Sequence, residues 1–221
     1  MEDFMRRHIV FVSLTVLFML LVSGALFSDT QGWISNSLSF KINDSFSLKF
    51  TNESRFNEAT YSDLYLRNWE GGIAYNLSKK LYVAALYKRE DSRKTGYYLH
   101  ENRFTLESGW KTKLAKKLDF DLRFKMEIRD YQYDKAKDHL NFRLRFRVKS
   151  ELTIGQLTVN PFIAIEPFAD TIDDTVNRYR FYAGFVFPLS KNVGIVINYL
   201  QQGTKDKETL YIANSGIELK F

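Results

Sequence analysis

Two runs near the middle of the chain alternate apolar and polar residues with almost no exception. The first reads Leu118-Asp119-Phe120-Asp121-Leu122-Arg123-Phe124-Lys125-Met126-Glu127-Ile128-Arg129. The second reads Leu140-Asn141-Phe142-Arg143-Leu144-Arg145-Phe146-Arg147-Val148-Lys149. In a strand, successive side chains point to opposite faces, so this period of two puts the apolar groups on one side and the charges on the other. On a helix the same order scatters charge around the whole circumference and leaves no stripe to bury. The spacing predicts two strands of one antiparallel hairpin. A soluble sheet with this pattern needs a protein core over every Phe, Leu, Met and Ile. A membrane β-barrel needs only lipid outside and a polar interior.

The N-terminus favours the barrel. Arg6, Arg7 and His8 form a basic end, residues 9–22 an apolar segment, and Ser23-Gly24-Ala25 a small-residue cleavage pattern. Residues 1–28 are therefore expected to be a signal peptide, with residues 29–221 as a single barrel domain. No later stretch offers the roughly 18 apolar residues of a transmembrane helix. An exported chain with two-faced strands and no such helix crosses a membrane only as a closed barrel. With 16% aromatic residues and only 3 Pro, the composition suits strands. The absence of Cys excludes disulfides, thiolate metal sites and a Cys nucleophile.

Further alternating segments are expected at residues 45–55, 64–76, 81–90, 97–112, 157–167, 177–187, 193–200 and 210–221. Connections that are alternately short and long separate them, as in outer-membrane barrels with short periplasmic turns and longer external loops. Gly71-Gly72 is the expected site of a bulge in residues 64–76, because Leu64 and Leu66 differ in parity from Trp69, Ile73 and Tyr75. With residues 33–42, whose alternation is weak, the segments number eleven, whereas single-chain bacterial barrels normally use an even number. The expected fold is a transmembrane antiparallel up-and-down barrel of ten strands, with residues 33–42 inside or below it; twelve strands are the alternative.

Parity assigns the interior. Its expected basic residues are Lys49, Arg103, Arg123, Lys125, Arg129, Arg143, Arg145, Arg147, Lys149, Arg178 and Arg180. The expected acids are Glu53, Glu107, Asp119, Asp121, Glu127, Glu151, Glu166 and Glu218. These side chains either satisfy one another as an ion-pair network or line a path for anions, since guanidinium groups match carboxylates well. A narrow channel or a largely closed structural barrel is the expected function, with a small porin for acidic oligosaccharides or other anions as the alternative. A lipid-modifying enzyme at the rim is a more distant one. His100 and His139 stand beside Glu101 and Asp138, but adjacent strand residues face opposite ways. No catalytic residue, metal site or cofactor is expected, and an exported chain is not expected to bind nucleic acid despite its formal charge of +6.

Tyr211, Ile217, Leu219 and Phe221 share one parity, and an aromatic ending after alternating apolar residues looks like the signal read by the outer-membrane assembly machinery. The chain resembles the DUF2490 family of bacterial outer-membrane barrels. The likeness lies in Trp33, Glu53-Ser54-Arg55, Glu101-Asn102-Arg103-Phe104, Asn141-Phe142-Arg143-Leu144-Arg145 and Lys149-Ser150-Glu151. The family pattern often has His where Asn102 stands. This resemblance implies a barrel in the outer membrane of a Gram-negative cell, with membrane lipid and the assembly machinery as partners, and it implies no activity. In size and lumen charge the chain is also similar to small monomeric porins for acidic oligogalacturonates, which makes small anionic solutes candidate ligands.

Overall fold

A computed structural model describes residues 30–58, 62–132, 138–155, 157–171 and 175–221; the expected signal peptide lies outside the described residues. The strands are β1 (Thr30–Lys41), β2 (Phe46–Phe56), β3 (Leu64–Asn76), β4 (Leu81–Lys94), β5 (Tyr97–Ala115) and β6 (Leu118–Tyr131). They continue as β7 (His139–Ser150), β8 (Leu152–Ile154), β9 (Leu157–Asp170), β10 (Val176–Pro188), β11 (Val193–Thr204) and β12 (Lys207–Lys220). Segment β8 pairs Leu152 with Val159 in the register that pairs Lys149 of β7 with Phe162. It is the end of the same strand beyond a break at Glu151. The wall thus has eleven strands, not ten or twelve.

That odd number decides how the barrel closes. In a meander each strand reverses the last, so with eleven the first and final strands run the same way. Accordingly β1 pairs with β12 in parallel, Trp33 beside Asn214 and Ser37 beside Glu218, while every other pairing is antiparallel. The segment expected inside or below the barrel is therefore a strand of its wall. Its alternation is weak because its inward side chains are Trp33, Ser35, Ser37 and Ser39, with no charge among them.

The parallel seam is also a place of close backbone approach. A Cβ on Gly216 would stand 1.7 Å from the Ser35 carbonyl oxygen, so only glycine allows the two backbones to approach there. The ladder lapses between Ile34 and Ser37, where Asn36 Oδ1 accepts from the Ile217 N–H instead (3.1 Å).

Two other expectations change. The register of β3 runs unbroken past Gly71 and Gly72; the irregularity expected in this strand lies nearer its start, where Arg55 pairs with Leu66 but Phe56 with Leu64, so Leu66 is buried inside while Leu64 stays exposed. The charged segments at residues 91–96 and 201–208 are mostly strand, turned by Thr95-Gly96 (Gly96 φ 84°) and Lys205-Asp206 (Asp206 φ 57°). β5 is 19 residues long, well beyond the roughly 9–11 that cross a bilayer, so the β4–β5 hairpin projects past the apolar band. The longest connections, residues 57–63, 132–138 and 171–175, share one end, which we take as external. At the other end Asp44, in the β1–β2 turn, accepts from Lys41 Nζ (2.6 Å), which holds its carboxyl below the ordinary carboxylate range.

Outside, the wall exposes Phe40, Leu48, Phe50, Trp69, Phe104, Leu106, Phe124, Ile165, Ile197 and Ile217. A contiguous apolar belt of this extent suits lipid and not water.

Candidate functional site

The lumen has two unlike walls. From β5 to β7 the inward positions carry charge at nearly every level, with further charges on β2, β4, β9 and β10; from β11 through β12 to β1 they are neutral down to Glu218.

On the charged side the register creates a problem. Directly opposite one another stand Arg103 and Arg129, Arg123 and Arg145, and Lys125 and Arg143. Like charges in cross-strand pairs repel. The structure resolves this by seating a carboxylate among each set. Glu127, fully buried, lies 2.8 Å from Arg143 Nη1, 3.3 Å from Arg129 Nη2 and 3.5 Å from Arg103 Nη1. Glu166 accepts from Arg123 Nη2 (2.9 Å), Arg143 Nη2 (3.1 Å) and the Tyr182 hydroxyl (2.7 Å). Glu107 serves Lys49 (2.9 Å), Lys125 (3.3 Å) and the Tyr82 hydroxyl (2.8 Å). Asp121 lies 3.1 Å from Arg145 and 3.8 Å from Arg147. Carboxylates shared in this way offset much of the desolvation cost of the buried charges.

Cations nonetheless outnumber the acids that hold them. Arg178 and Arg180 form no ion pair among the described residues. Their guanidinium carbons sit over the Phe168 ring at 4.9 and 5.0 Å, joined by that of Arg143 at 4.7 Å. Arg180 also lies 5.2 Å from the Trp33 ring centre, Arg55 covers the same ring at 3.9 Å, and Arg180 Nε donates to Gln202 Oε1 (2.7 Å). Ring faces thus stand where carboxylates would otherwise be needed.

On the neutral wall Trp33, Leu200 and Ile212 form a buried apolar cluster. Beside it Asn214 Nδ2 donates to Asn198 Oδ1 (2.8 Å), and the Ser35 hydroxyl donates to Asn214 Oδ1 (2.9 Å). Between the walls lies a cavity of about 290 Å³, with Ser35 and Asn198 on one side and Arg123 and Arg145 on the other. A smaller one of about 90 Å³, lined by Arg55, Arg103, Arg129 and Arg178, adjoins it across Glu53, Lys88, Arg143 and Arg180. A third, of about 160 Å³, adjoins it across Arg147 and Glu218 at the short-turn end and carries Lys149, Lys191 and Lys220.

Most of the expected interior residues are thus brought together. Glu53 pairs with Arg55 (2.6 Å) and Glu218 with Lys220 (2.9 Å); Asp119 lies opposite Lys149. Glu151 is not part of the cluster: it is half-exposed at the β7–β8 break, 3.6 Å from the equally exposed Lys117. Several participants escaped the parity reading. Phe168, one residue beyond the expected segment 157–167, belongs to β9 and is 1% exposed. It shares the parity of Glu166, and an aromatic on a polar parity was the available signal. Glu70, Lys88, Glu90 and Glu101 also face inward. His100 faces outward against Asp91 (Nδ1···Oδ1 2.6 Å), whereas His139 stacks on Tyr131. At the C-terminus Tyr211, Ile217 and Leu219 face outward, and Phe221 is tied back to β1 through Ser39 and Lys41.

The model of the family described as "Protein of unknown function (DUF2490)" matches residues 30–211. The chain belongs to this family. Among solved structures, the KdgM porin in complex with disordered oligogalacturonate is similar at 11% identity and TM-score 0.52, over 83% of this chain and 93% of that one. The β domain of the Bordetella autotransporter BrkA is similar at 14% identity and TM-score 0.49, over 75% and 78%. LpxR from Salmonella typhimurium gives 7% and 0.47, over 79% and 83%. No curated protein matches the chain. Family and fold together support an outer-membrane β-barrel with a charged lumen.

Proposed function

We propose that this DUF2490 barrel is a narrow channel for small anionic solutes, with acidic oligosaccharides as the class its lumen fits best. The observation that carries the reading is the surplus of cations around the smaller inner cavity. Arg178 and Arg180 rest on Phe168 and Trp33 instead of on carboxylates, so their charge stays available to a passing anion. The cavity they line carries Arg55, Lys88, Arg103, Arg129 and Arg143 as well, against only Glu53 and Glu90, so a solute carboxylate meets a lining with a clear excess of positive charge. The KdgM porin, similar in fold, was solved with an oligogalacturonate, which supports the same class. The reading gives the protein no catalytic role. It also gives the outward row of Tyr211, Ile217, Leu219 and Phe221 to the assembly machinery.

Planar-bilayer recordings under a salt gradient test the channel. The wild-type barrel should pass chloride in preference to potassium, and Arg178→Ala with Arg180→Ala should lose most of that preference. Absence of current at any voltage would sink the proposal. It would favour a closed structural barrel, a reading supported by the small inner cavity and the full burial of Glu127.

A further inference from the structure

The outer surface carries a second site, separate from the lumen. On β2–β5 the outward rows change character within one step along the strands. One row runs Leu38, Phe50, Gly71, Tyr87, Phe104, and the row beneath it includes Leu48, Ile73 and Ala85. Gly71 and Ala85 have almost no side chain, so the larger groups around them stand as banks of an apolar groove of about 790 Å³. Directly above, toward the external end, come Arg89 and Asn102, then Arg67, Asp91 and His100. Trp69 and Tyr87 meet edge to face at 6.0 Å along this boundary, the position of an interfacial aromatic girdle.

The polar rows are basic beyond their internal needs. Asp91 is shared by Arg67 Nε (3.7 Å), Arg89 Nε (3.5 Å) and His100 Nδ1 (2.6 Å), and Arg67 remains 68% exposed. A cationic edge in the headgroup region over a groove in the acyl region matches a phosphorylated lipid in charge and in polarity. Because this end is the external one, the lipid available is the phosphorylated glycolipid of the outer leaflet. We propose that the β2–β5 face binds one such molecule, with phosphate held by Arg67 and Arg89 and one acyl chain laid over Gly71 and Ala85.

Native mass spectrometry of the purified, refolded barrel tests this, with lipid A as the probe and phosphatidylglycerol as the comparison. One lipid A should be retained where phosphatidylglycerol is lost, and its dephosphorylated form should be retained tenfold less. Arg67→Ala with Arg89→Ala should weaken retention to a similar degree. Gly71→Leu should weaken it by filling the groove; a Cβ at Gly71 comes no nearer than 3.7 Å to Phe50, so the wall tolerates it. Heat-modifiable migration confirms that each variant is folded. Equal retention of the phosphorylated and dephosphorylated forms, or of phosphatidylglycerol, overturns the proposal, as does unchanged retention in folded variants.

Discussion

The two walls of the lumen are held by different means. On the charged wall, stability depends on carboxylates seated among cations that would otherwise repel. On the neutral wall, side chains are small or apolar, and at the seam the backbones of β12 and β1 come close at Gly216 against Ser35. The contrast teaches that the seam joining β12 to β1 and the ion-pair network occupy different sectors because they need opposite things. A parallel seam with bulky charged neighbours would lose its close approach, and a charged sector without long side chains would lose its partners.

The contrast can be broken most completely at Gly216. Gly216→Leu should abolish the folded barrel, read as loss of the heat-modifiable band, because the obstruction is backbone and cannot move aside. Glu127→Ala comes next. It removes the carboxylate that Arg103, Arg129 and Arg143 share and leaves them to Glu101 and Glu166, so the loss should approach, without exceeding, that of a buried ion pair broken from one side, about 3–5 kcal/mol. Urea unfolding in detergent should show the loss, with Glu127→Gln losing less. Asn198→Glu sharpens the comparison by placing an acid on the neutral wall beside the main cavity. The barrel should stay folded while its preference for chloride falls, measured as a shift in reversal potential. The smallest effect is expected from Ser35→Ala, which removes the hydroxyl between Asn214 and Glu53 and should cost about 1 kcal/mol in the same unfolding assay.

Much of the charged wall was legible in the sequence, because parity is local. Leu122 and Arg123 face apart for the same reason wherever the strand lies, and the inward placement of Arg143, Arg145, Glu166 and Arg180 followed from alternation alone. What parity does not contain is who stands across the lumen. That Arg178 and Arg180 would meet Phe168 and not a carboxylate depends on β9, β10 and β1 arriving at one level, a fact of closure. The neutral wall was hard to read for the converse reason. Without charge on its inner face, β1 lacks the contrast that marks a strand, and so the strand count was left uneven and the parallel seam unforeseen.

The parallel seam also orders events in time. Asn36 and Ile217, which bridge it, lie 181 residues apart, whereas every other pairing in the wall joins neighbours in the chain. Loop-closure entropy rises only slowly with length, about 0.6 kcal/mol per doubling, yet contacts this distant form late. Until they form, the protein is an open curved sheet with two bare edges, β12 on one side and β1 on the other, each a template for an unwanted strand. The interval before those edges meet is when the chain is most exposed to mispairing, and its length depends on how quickly Gly216 finds Ser35.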